Sequence, residues 1–383
     1  MPGLGETTAM LARLRRSAKA PASDVAAGRM VETAAFGANP GRLRMYSYAP
    51  EGLAGGAPLV VVLHGCTQGA EAYAADAGWL TLAQRHGFVV VAAEQTAANN
   101  PNRCFNWFSP GDTRRGEGEA ASIAAMTAHA IGEHGADPER VFVTGLSAGG
   151  AMTCVMLAAY PDVFAGGAII AGLPYGVAGN VQDALRVMNR ADGRSAPELG
   201  GLVRGAAPIG GRIPRVAIWH GGADTVVSAS NADDIASQWA WTHGLAVEPD
   251  EVRSQPGRTR STWRSPSTGE VLIEAHRLAG LGHGTPLAST GAEGVGAVAP
   301  YMLEAGVSSS SEILAFWGVK PRPASAWLTA PSAPAPAPAS EAWHELKAPH
   351  GLGAQVMASL APHVPGSVQD VIAKALKSAG LMR

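Results

Sequence analysis

Ser147 stands at the centre of the sequence Gly-Leu-Ser-Ala-Gly, which occupies residues 145–149. A short apolar run precedes this sequence, and a segment rich in alanine, methionine and leucine follows it. A nucleophile elbow has this order of strand, tight turn and helix, and its strained turn needs very small residues two before and two after the serine. The helix N-terminus beneath the serine favours the negative charge that develops during acyl transfer. We therefore predict that Ser147 is a catalytic nucleophile.

An elbow serine needs an orienting acid and a general base, which follow it in the chain order Ser, Asp, His. Asp224 comes shortly after a short apolar run, so its carboxylate is expected on the same rim as the elbow. His283 lies between glycines in a loop after the last clear strand, and these glycines leave its imidazole room to move. Asp233 and Asp234 compete for the acid role, but both fall in a predicted helix whose solvated face explains them more simply. We predict Asp224 as the acid and His283 as the base.

The oxyanion of the tetrahedral intermediate needs backbone N–H donors. One is expected from Ala148, directly after the nucleophile, and the other from the loop that follows an early strand. That loop reads His-Gly-Cys-Thr-Gln at residues 64–68, directly after the apolar run at residues 59–63. Its glycine lets backbone amides approach a ligand closely, so we predict the Cys66 N–H as the second donor.

These side chains need a scaffold of parallel strands that end at one edge. Short apolar runs, which are typical of strands buried on both faces, alternate with helical segments along the chain. This alternation favours an α/β fold with a mostly parallel central sheet and helices on both faces. The predicted strands cover residues 43–48 (as an edge strand), 59–63, 88–93, 140–144, 168–171, 215–220 and 271–277, and the predicted helices cover residues 72–85, 117–133, 148–160 and 231–243.

Composition divides the chain into four segments. Residues 1–35 are predicted to be a weakly helical, basic lead-in, and residues 36–320 the catalytic domain, in which the strand-poor stretch 174–214 is a candidate cap or lid. A Pro/Ala-rich linker follows at residues 321–340. Residues 341–383 are predicted to carry an amphipathic helix. Its apolar stripe leaves open a contact with a granule, a membrane surface, a second subunit in a homodimer, or its own domain.

The basic residues exclude several classes of protein. No lysine occurs between residues 20 and 319, which excludes a P-loop, a Schiff-base enzyme and a protein kinase from the body of the chain. The formal net charge is −2 and no basic stripe stands out, so no nucleic-acid partner is predicted.

Metal and membrane signals are weak as well. The three cysteines form no CxxC, and no HExxH is present, so we predict no metal site. The uncharged stretch at residues 141–161 contains a turn sequence, which favours strand–turn–helix over a membrane span. The basic N-terminal segment lacks an apolar h-region, so we predict a cytoplasmic location and leave secretion open.

Taken together, these motifs resemble the polyhydroxybutyrate depolymerase family of α/β-hydrolase esterases. The resemblance spans about residues 40–320 and rests on the sequences at residues 64–68, 102–108 and 145–149 and on the loops of Asp224 and His283. It implies the α/β-hydrolase fold, a Ser147–His283–Asp224 triad, an oxyanion hole at Cys66 and Ala148, and activity on short-chain hydroxyalkanoate esters. This chemistry proceeds through an acyl-enzyme and needs no cofactor.

The sequence leaves two features of these family motifs undecided, namely the state of two cysteines and the residues that contact the substrate. Cys66 and Cys104 both lie in them, and the sequence allows either a disulfide that pins the oxyanion loop to the Trp107 loop or two separate thiols. We predict that Trp107, Asn106 and His64 contribute to substrate binding, with Trp107 either an aromatic wall beside the ester or a core residue.

The substrate is less well defined than the chemistry. The first hypothesis is a serine esterase that cleaves poly-3-hydroxybutyrate or its oligomers. The alternative is a small-molecule carboxylesterase acting on aryl, feruloyl or acetyl esters. A third hypothesis, a non-catalytic granule-associated protein, is disfavoured by the complete candidate triad.

Overall fold

A computed structural model describes residues 30–206 and 212–322. The predicted linker beyond residue 322 and the amphipathic C-terminal helix lie outside the described residues, as does the lead-in up to residue 29. The contact predicted for the C-terminal helix, whether granule, membrane surface or second subunit, therefore stays a prediction.

A ten-stranded sheet forms the centre of the described part, with spatial order β1-β2-β4-β3-β5-β6-β7-β10-β9-β8. The six strands from β4 to β10 in this order are parallel, and the two strands at each edge are antiparallel. In chain order the strands are β1 (Val31–Thr33), β2 (Arg44–Tyr48), β3 (Leu59–Leu63), β4 (Val89–Glu94), β5 (Val141–Leu146), β6 (Gly166–Ile170), β7 (Arg215–Gly221), β8 (Glu251–Gln255), β9 (Arg258–Arg264) and β10 (Val271–Leu278).

Helices cover both faces of this sheet, and a small parallel pair of strands stands apart from it. The helices are α1 (Ala70–Asp76), α2 (Trp79–His86), α3 (Pro110–Thr113), α4 (Gly118–His134), α5 (Ala148–Ala159), α6 (Val181–Asn189), α7 (Ala196–Ala206), α8 (Ser230–His243) and α9 (Ser309–Phe316), and the small pair is β11 (Thr285–Leu287) with β12 (Met302–Glu304).

Strand β3 shows why the sheet has a core on each face. All five of its side chains are buried, and successive side chains point to opposite faces. Leu59, Val61 and Leu63 join one apolar cluster, which α4, α5 and α8 cover. Val60 and Val62 join the other, which α1, α2 and α9 cover. An uninterrupted apolar run is therefore the expected sequence of a central strand in this fold.

The structure corrects several predicted elements. The helix predicted at residues 72–85 is two helices, because Gly78 has a left-handed φ of 85° and the chain turns there. Strand β2 is not at the edge, since β1 pairs with its outer side. The sequence missed β8 and β9, a polar pair without an apolar run, of which β8 is largely exposed and β9 half-buried. The stretch 174–214 carries α6 and α7.

The topology brings the predicted site to one edge of the sheet. Ser147 follows β5, the loop of Cys66 follows β3, Asp224 follows β7 and His283 follows β10. These strands are parallel, so their carboxyl ends lie at the same edge, where ligands bind in open α/β sheets. Within the two described ranges, the helices are too short or too polar to cross a membrane.

Candidate active site

The elbow at Ser147 depends on an unusually close approach of two backbones. Ser147 has φ 58° and ψ −117°, a region that non-glycine residues rarely adopt and that is typical of strained functional positions. A β-carbon at Gly149 would lie 2.1 Å from the Leu63 carbonyl oxygen, and one at Gly145 would lie 2.4 Å from the Gly149 oxygen. Both positions therefore require glycine. The Ser147 N–H donates to the Ile170 oxygen at 2.9 Å, which ties the turn to β6.

His283 and Asp224 form a buried pair at the same edge of the sheet. The distance from His283 Nδ1 to Asp224 Oδ2 is 2.7 Å, and the two side chains are 8% and 0% exposed. Because a carboxylate only accepts hydrogen bonds, Nδ1 carries the proton and Nε2 is left as the basic nitrogen. The Val226 and Val227 N–H groups donate to the other carboxylate oxygen at 2.8 and 2.9 Å, which fixes the carboxylate plane.

A second histidine braces the same carboxylate. His220 Nε2 lies 3.0 Å from the Val227 carbonyl oxygen and 3.3 Å from Asp224 Oδ2, so this nitrogen is the donor. Burial alone would raise the pKa of Asp224. The hydrogen bonds from His220 and His283 outweigh burial and hold that pKa well below its ordinary value. Asp224 is therefore a carboxylate at any pH near neutrality, as an orienting acid must be.

In the loop at residues 64–68, three backbone N–H groups have acceptors within the described part of the chain. The Gly65 N–H donates to Gln68 Oε1 at 2.8 Å, the Thr67 N–H to the Asn102 oxygen at 2.7 Å, and the Gln68 N–H to the Gly65 oxygen at 3.3 Å. The Cys66 N–H donates to no described group, and neither does that of Ala148 at the first turn of α5. These are the two donors that the sequence predicts for the oxyanion hole.

A disulfide joins Cys66 to Cys104, which decides between the two alternatives that the sequence left open. Two hydrogen bonds join the same two loops. Arg103 Nη2 donates to the Thr67 oxygen at 2.7 Å, and the Thr67 N–H donates to the Asn102 oxygen. The oxyanion loop after β3 is thus held by the loop after β4. Cys154 is a buried thiol in α5, where it packs in the core.

The structure does not place the predicted substrate-binding residues at an open surface. His64 is 0% exposed and both of its ring nitrogens are hydrogen-bonded, so its prediction as a substrate contact is wrong. Asn106 uses its side chain internally, donating to Glu119 and accepting from Asn100. Trp107 is 8% exposed and packs in the core, which favours the core alternative for this residue.

Tyr301 is a candidate site residue that the sequence reasoning missed. Its ring stands edge-to-face against the His283 imidazole at a centroid distance of 6.0 Å, and the residue is 42% exposed. Its φ of 66° is rare for a residue with a β-carbon, so the backbone there is held against a local preference. No local motif marks this position, and only the pairing of β11 with β12 brings it to His283.

No cluster of three metal-ligating side chains occurs in residues 30–206 and 212–322.

A parallel sheet with an elbow serine, a histidine–carboxylate pair and two backbone donors at its carboxyl edge defines an α/β-hydrolase. The chain belongs to the Esterase PHB depolymerase family, whose model matches residues 43–262. The predicted family, fold and class of enzyme, a carboxylic-ester hydrolase, are thereby confirmed.

Individual relatives agree with this assignment. The chain is 43% identical over 292 residues to "Poly(3-hydroxyalkanoate) depolymerase C" of Paucimonas lemoignei, covering 76% of this chain and 70% of that protein. It is 32% identical over 276 residues to an acetylxylan esterase of Coprinopsis cinerea, covering 70% and 73%. A solved acetyl xylan esterase from Aspergillus awamori superposes with a TM-score of 0.65 at 24% identity, covering 76% of this chain and all of that one, and shows the shared fold.

Replacing Gly149 with alanine should prevent the elbow from forming. The new β-carbon would meet the Leu63 carbonyl oxygen at 2.1 Å, and neither backbone can move without disturbing β3. We expect a loss of several kcal/mol in the free energy of unfolding and of measurable esterase activity. Gly132→Ala is the matched control, because Gly132 lies in α4 with nothing within 4 Å, and it should gain about 0.5–1 kcal/mol. Equal stabilities in urea titrations would contradict the close approach.

Removing the disulfide should destabilise the protein more than it disturbs the chemistry. The bond closes a loop of sequence separation 38, for which loop entropy gives about 3–4 kcal/mol. The double variant Cys66→Ser/Cys104→Ser should unfold at lower denaturant than the oxidised wild type and keep much of its kcat, because the hydrogen bonds of Thr67 with Asn102 and Arg103 remain. A reductant should shift the wild-type midpoint and leave that of the double variant unchanged; a wild type indifferent to reductant would refute the stabilising role.

Proposed function

We propose that this enzyme is a serine esterase that cleaves poly-3-hydroxybutyrate or its oligomers with Ser147, His283 and Asp224 as its triad. The observation that carries the triad is the 2.7 Å bond from His283 Nδ1 to Asp224 Oδ2, which leaves Nε2 as a base at the edge where the elbow serine lies. The identity to the Paucimonas lemoignei depolymerase supports the polyester substrate.

The proposed mechanism follows from these groups. Ser147 Oγ attacks the ester carbonyl carbon while His283 Nε2 accepts the hydroxyl proton. Asp224 holds the imidazole and stabilises its positive charge. The Cys66 and Ala148 N–H groups donate to the oxyanion of the tetrahedral intermediate. The intermediate then collapses to an acyl-enzyme as the bond to the alkoxy oxygen breaks, and His283 gives its proton to that oxygen, which leaves as a hydroxyl group. Water activated by His283 next releases the hydroxy acid or the shortened chain.

Exposed apolar residues around the triad support a polyester as the substrate. Val226 is 43% exposed two residues after Asp224, and Tyr301 is 42% exposed with its ring against His283. A short-chain polyhydroxyalkanoate presents methyl groups and ester groups with no charge, so such a rim suits it.

A small ester is the second candidate, because acetylxylan and feruloyl esterases are 32% and 31% identical to this chain. The higher identity to the depolymerase favours the polyester.

The disulfide also bears on where the enzyme works. Disulfides persist in oxidising compartments and are rare in reducing cytosol. The bond between Cys66 and Cys104 therefore supports an oxidising location over the cytoplasmic one that the N-terminal sequence predicts.

The substrate and the nucleophile can be tested together. Wild-type enzyme should release 3-hydroxybutyrate or its oligomers from amorphous poly-3-hydroxybutyrate, as measured by chromatography, and should cleave p-nitrophenyl butyrate. Ser147→Ala should lose at least about 10³-fold in kcat on both substrates with an unchanged melting temperature. Full activity of this variant would refute the triad. Cleavage of p-nitrophenyl esters without any release from the polymer would instead favour the small-ester alternative.

We expect a substitution at Tyr301 to lower activity on long substrates more than on short ones. Its exposed ring stands beside His283, where it can contact acyl groups beyond the reacting ester. We expect Tyr301→Ala to lower kcat/KM for a hydroxybutyrate trimer about 5–30-fold, the value of an aromatic contact worth about 1–2 kcal/mol. The same variant should change p-nitrophenyl acetate hydrolysis much less, and Tyr301→Phe should behave as wild type on both. Equal losses on the trimer and the acetate ester would show that the ring supports His283 and not the substrate.

A further inference from the structure

An open cavity of about 300 Å³ lies between the segment that follows β4 and the segment that follows β6, outside the triad. Its walls come from α3 and Arg114 on one side, and from residues 175–179 and α6 on the other. The guanidinium groups of Arg114, Arg186 and Arg194 line it, together with a single carboxylate from the described residues, that of Asp183. The lining therefore carries a surplus of positive charge.

A carboxylate behind the cavity wall fixes two of these arginines. The Asp192 side chain is 3% exposed, and its Oδ1 accepts from both Nη atoms of Arg186 at 3.2 Å. Arg194 Nε lies 3.0 Å from Asp192 Oδ2, and Arg194 Nη1 donates to the Gly176 oxygen at 3.4 Å. The two arginine side chains are 41% and 39% exposed, so part of each still faces solvent. Side chains that are already held in place lose less conformational entropy when a ligand binds.

Arg114 and Tyr175 add hydrogen-bond donors to the same cavity. The ion pair of Arg114 within the described residues is with Glu117 at 4.0 Å, and both side chains are largely exposed, so the Arg114 guanidinium stays available to a ligand. Burial raises the pKa of Tyr175, so its hydroxyl keeps its proton and can donate. Guanidinium groups match the planar, two-oxygen geometry of a carboxylate. The cavity is therefore suited to a carboxylate ligand.

The chain connects this cavity closely to the elbow. A β-carbon at Gly172 would lie 2.8 Å from the Gly150 carbonyl carbon, so the segment after β6 starts against the first turn of α5. Tyr175 follows Gly172 by three residues, which is at most about 11 Å of extended chain. A hydroxybutyrate unit adds four backbone bonds, or about 5 Å when extended. An oligomer of a few units is therefore long enough to reach this cavity with one of its esters at Ser147.

We propose that this cavity is a carboxylate subsite, which binds the free carboxyl end of a hydroxyalkanoate oligomer while Ser147 attacks an ester a few units away. The inference rests on the polyester activity of the proposed function and names the part of the substrate that is recognised beyond the reacting ester. The carboxyl end lies on the alkoxy side of that ester. When the acyl–oxygen bond breaks, the alkoxy oxygen takes the proton from His283, and a shorter hydroxy acid leaves with its carboxylate in the cavity. The acyl fragment stays on Ser147 until water releases it.

Such a subsite predicts a particular kinetic signature. The carboxylate is bound equally in the ground state and in the transition state, so the contact lowers KM and leaves kcat nearly unchanged. The terminal carboxamide of the same oligomer has the same length and esters but no charge. We expect the free acid of a hydroxybutyrate trimer to have a KM about 10-fold lower than the carboxamide, the usual effect of a hydrogen bond to a charged group.

Three substitutions separate this contact from a general effect of charge. Arg114→Gln and Arg194→Gln each remove one guanidinium from the cavity, and each should reduce the preference for the acid from about 10-fold to about threefold or less. Arg253→Gln is the matched control, because it removes the same charge from an exposed side chain on β8, the last strand of the sheet. It should keep the full preference, since salt screens distant exposed charges. An equal loss of preference in Arg253→Gln would overturn the proposal.

Binding can also be measured without turnover. Calorimetric titration of Ser147→Ala with the trimer acid should give a Kd at least about threefold lower than that of Ser147→Ala/Arg114→Gln. An equal Kd would overturn the proposal. The comparison of acid with carboxamide on the wild type needs no variant, so it stands even if a substitution prevents folding. A wild type that cleaves neither the polymer nor the trimer would refute the proposed function itself, whereas cleavage of acid and carboxamide with equal KM would refute this inference alone.

Discussion

The site depends on the contact between the first turn of α5 and the end of β3. At Gly149 the helix backbone comes so near the Leu63 carbonyl that no side chain fits between them. Ala148 begins this helix, and the loop of Cys66 follows β3, so the contact fixes the start of the helix against the end of that strand. The relative placement of the two elements is set by backbone packing in the core and not by any side chain at the surface.

Other contacts hold the loops beside this point. The disulfide and the Thr67–Asn102 bond fix the loop at residues 64–68 from the side of β4, and the His64–Gln95–Glu119 contacts fix it on its buried side. On the other side of the elbow, two histidines and two backbone amides hold the Asp224 carboxylate. In the proposed mechanism, donors held in this way need no rearrangement as charge develops.

The central strands, the elbow and the loops of Asp224 and His283 could be predicted from sequence, because each has a local signature: an apolar run, flanking glycines, or an acid and a base in the right chain order. Tyr301 could not be predicted, because it approaches His283 only through the pairing of β11 with β12. Strands β8 and β9 are polar and lack the apolar run that marks a buried strand. His64 was misread because a polar residue in a motif suggests substrate contact, and only its burial shows otherwise.

The disulfide also gives the chain a covalent ring. Cys66 follows β3 and Cys104 follows β4, and these neighbouring parallel strands enclose α1 and α2 between them in sequence. The bond therefore closes one complete strand–helix–strand unit at its carboxyl end. If the two termini were pulled apart, the force would pass through the disulfide and would not extend the enclosed segment. The fully extended length of the oxidised chain would therefore be shorter by about 130 Å. Mechanical force would reach the elbow and the Asp224 loop while β4 and its two helices stayed shielded.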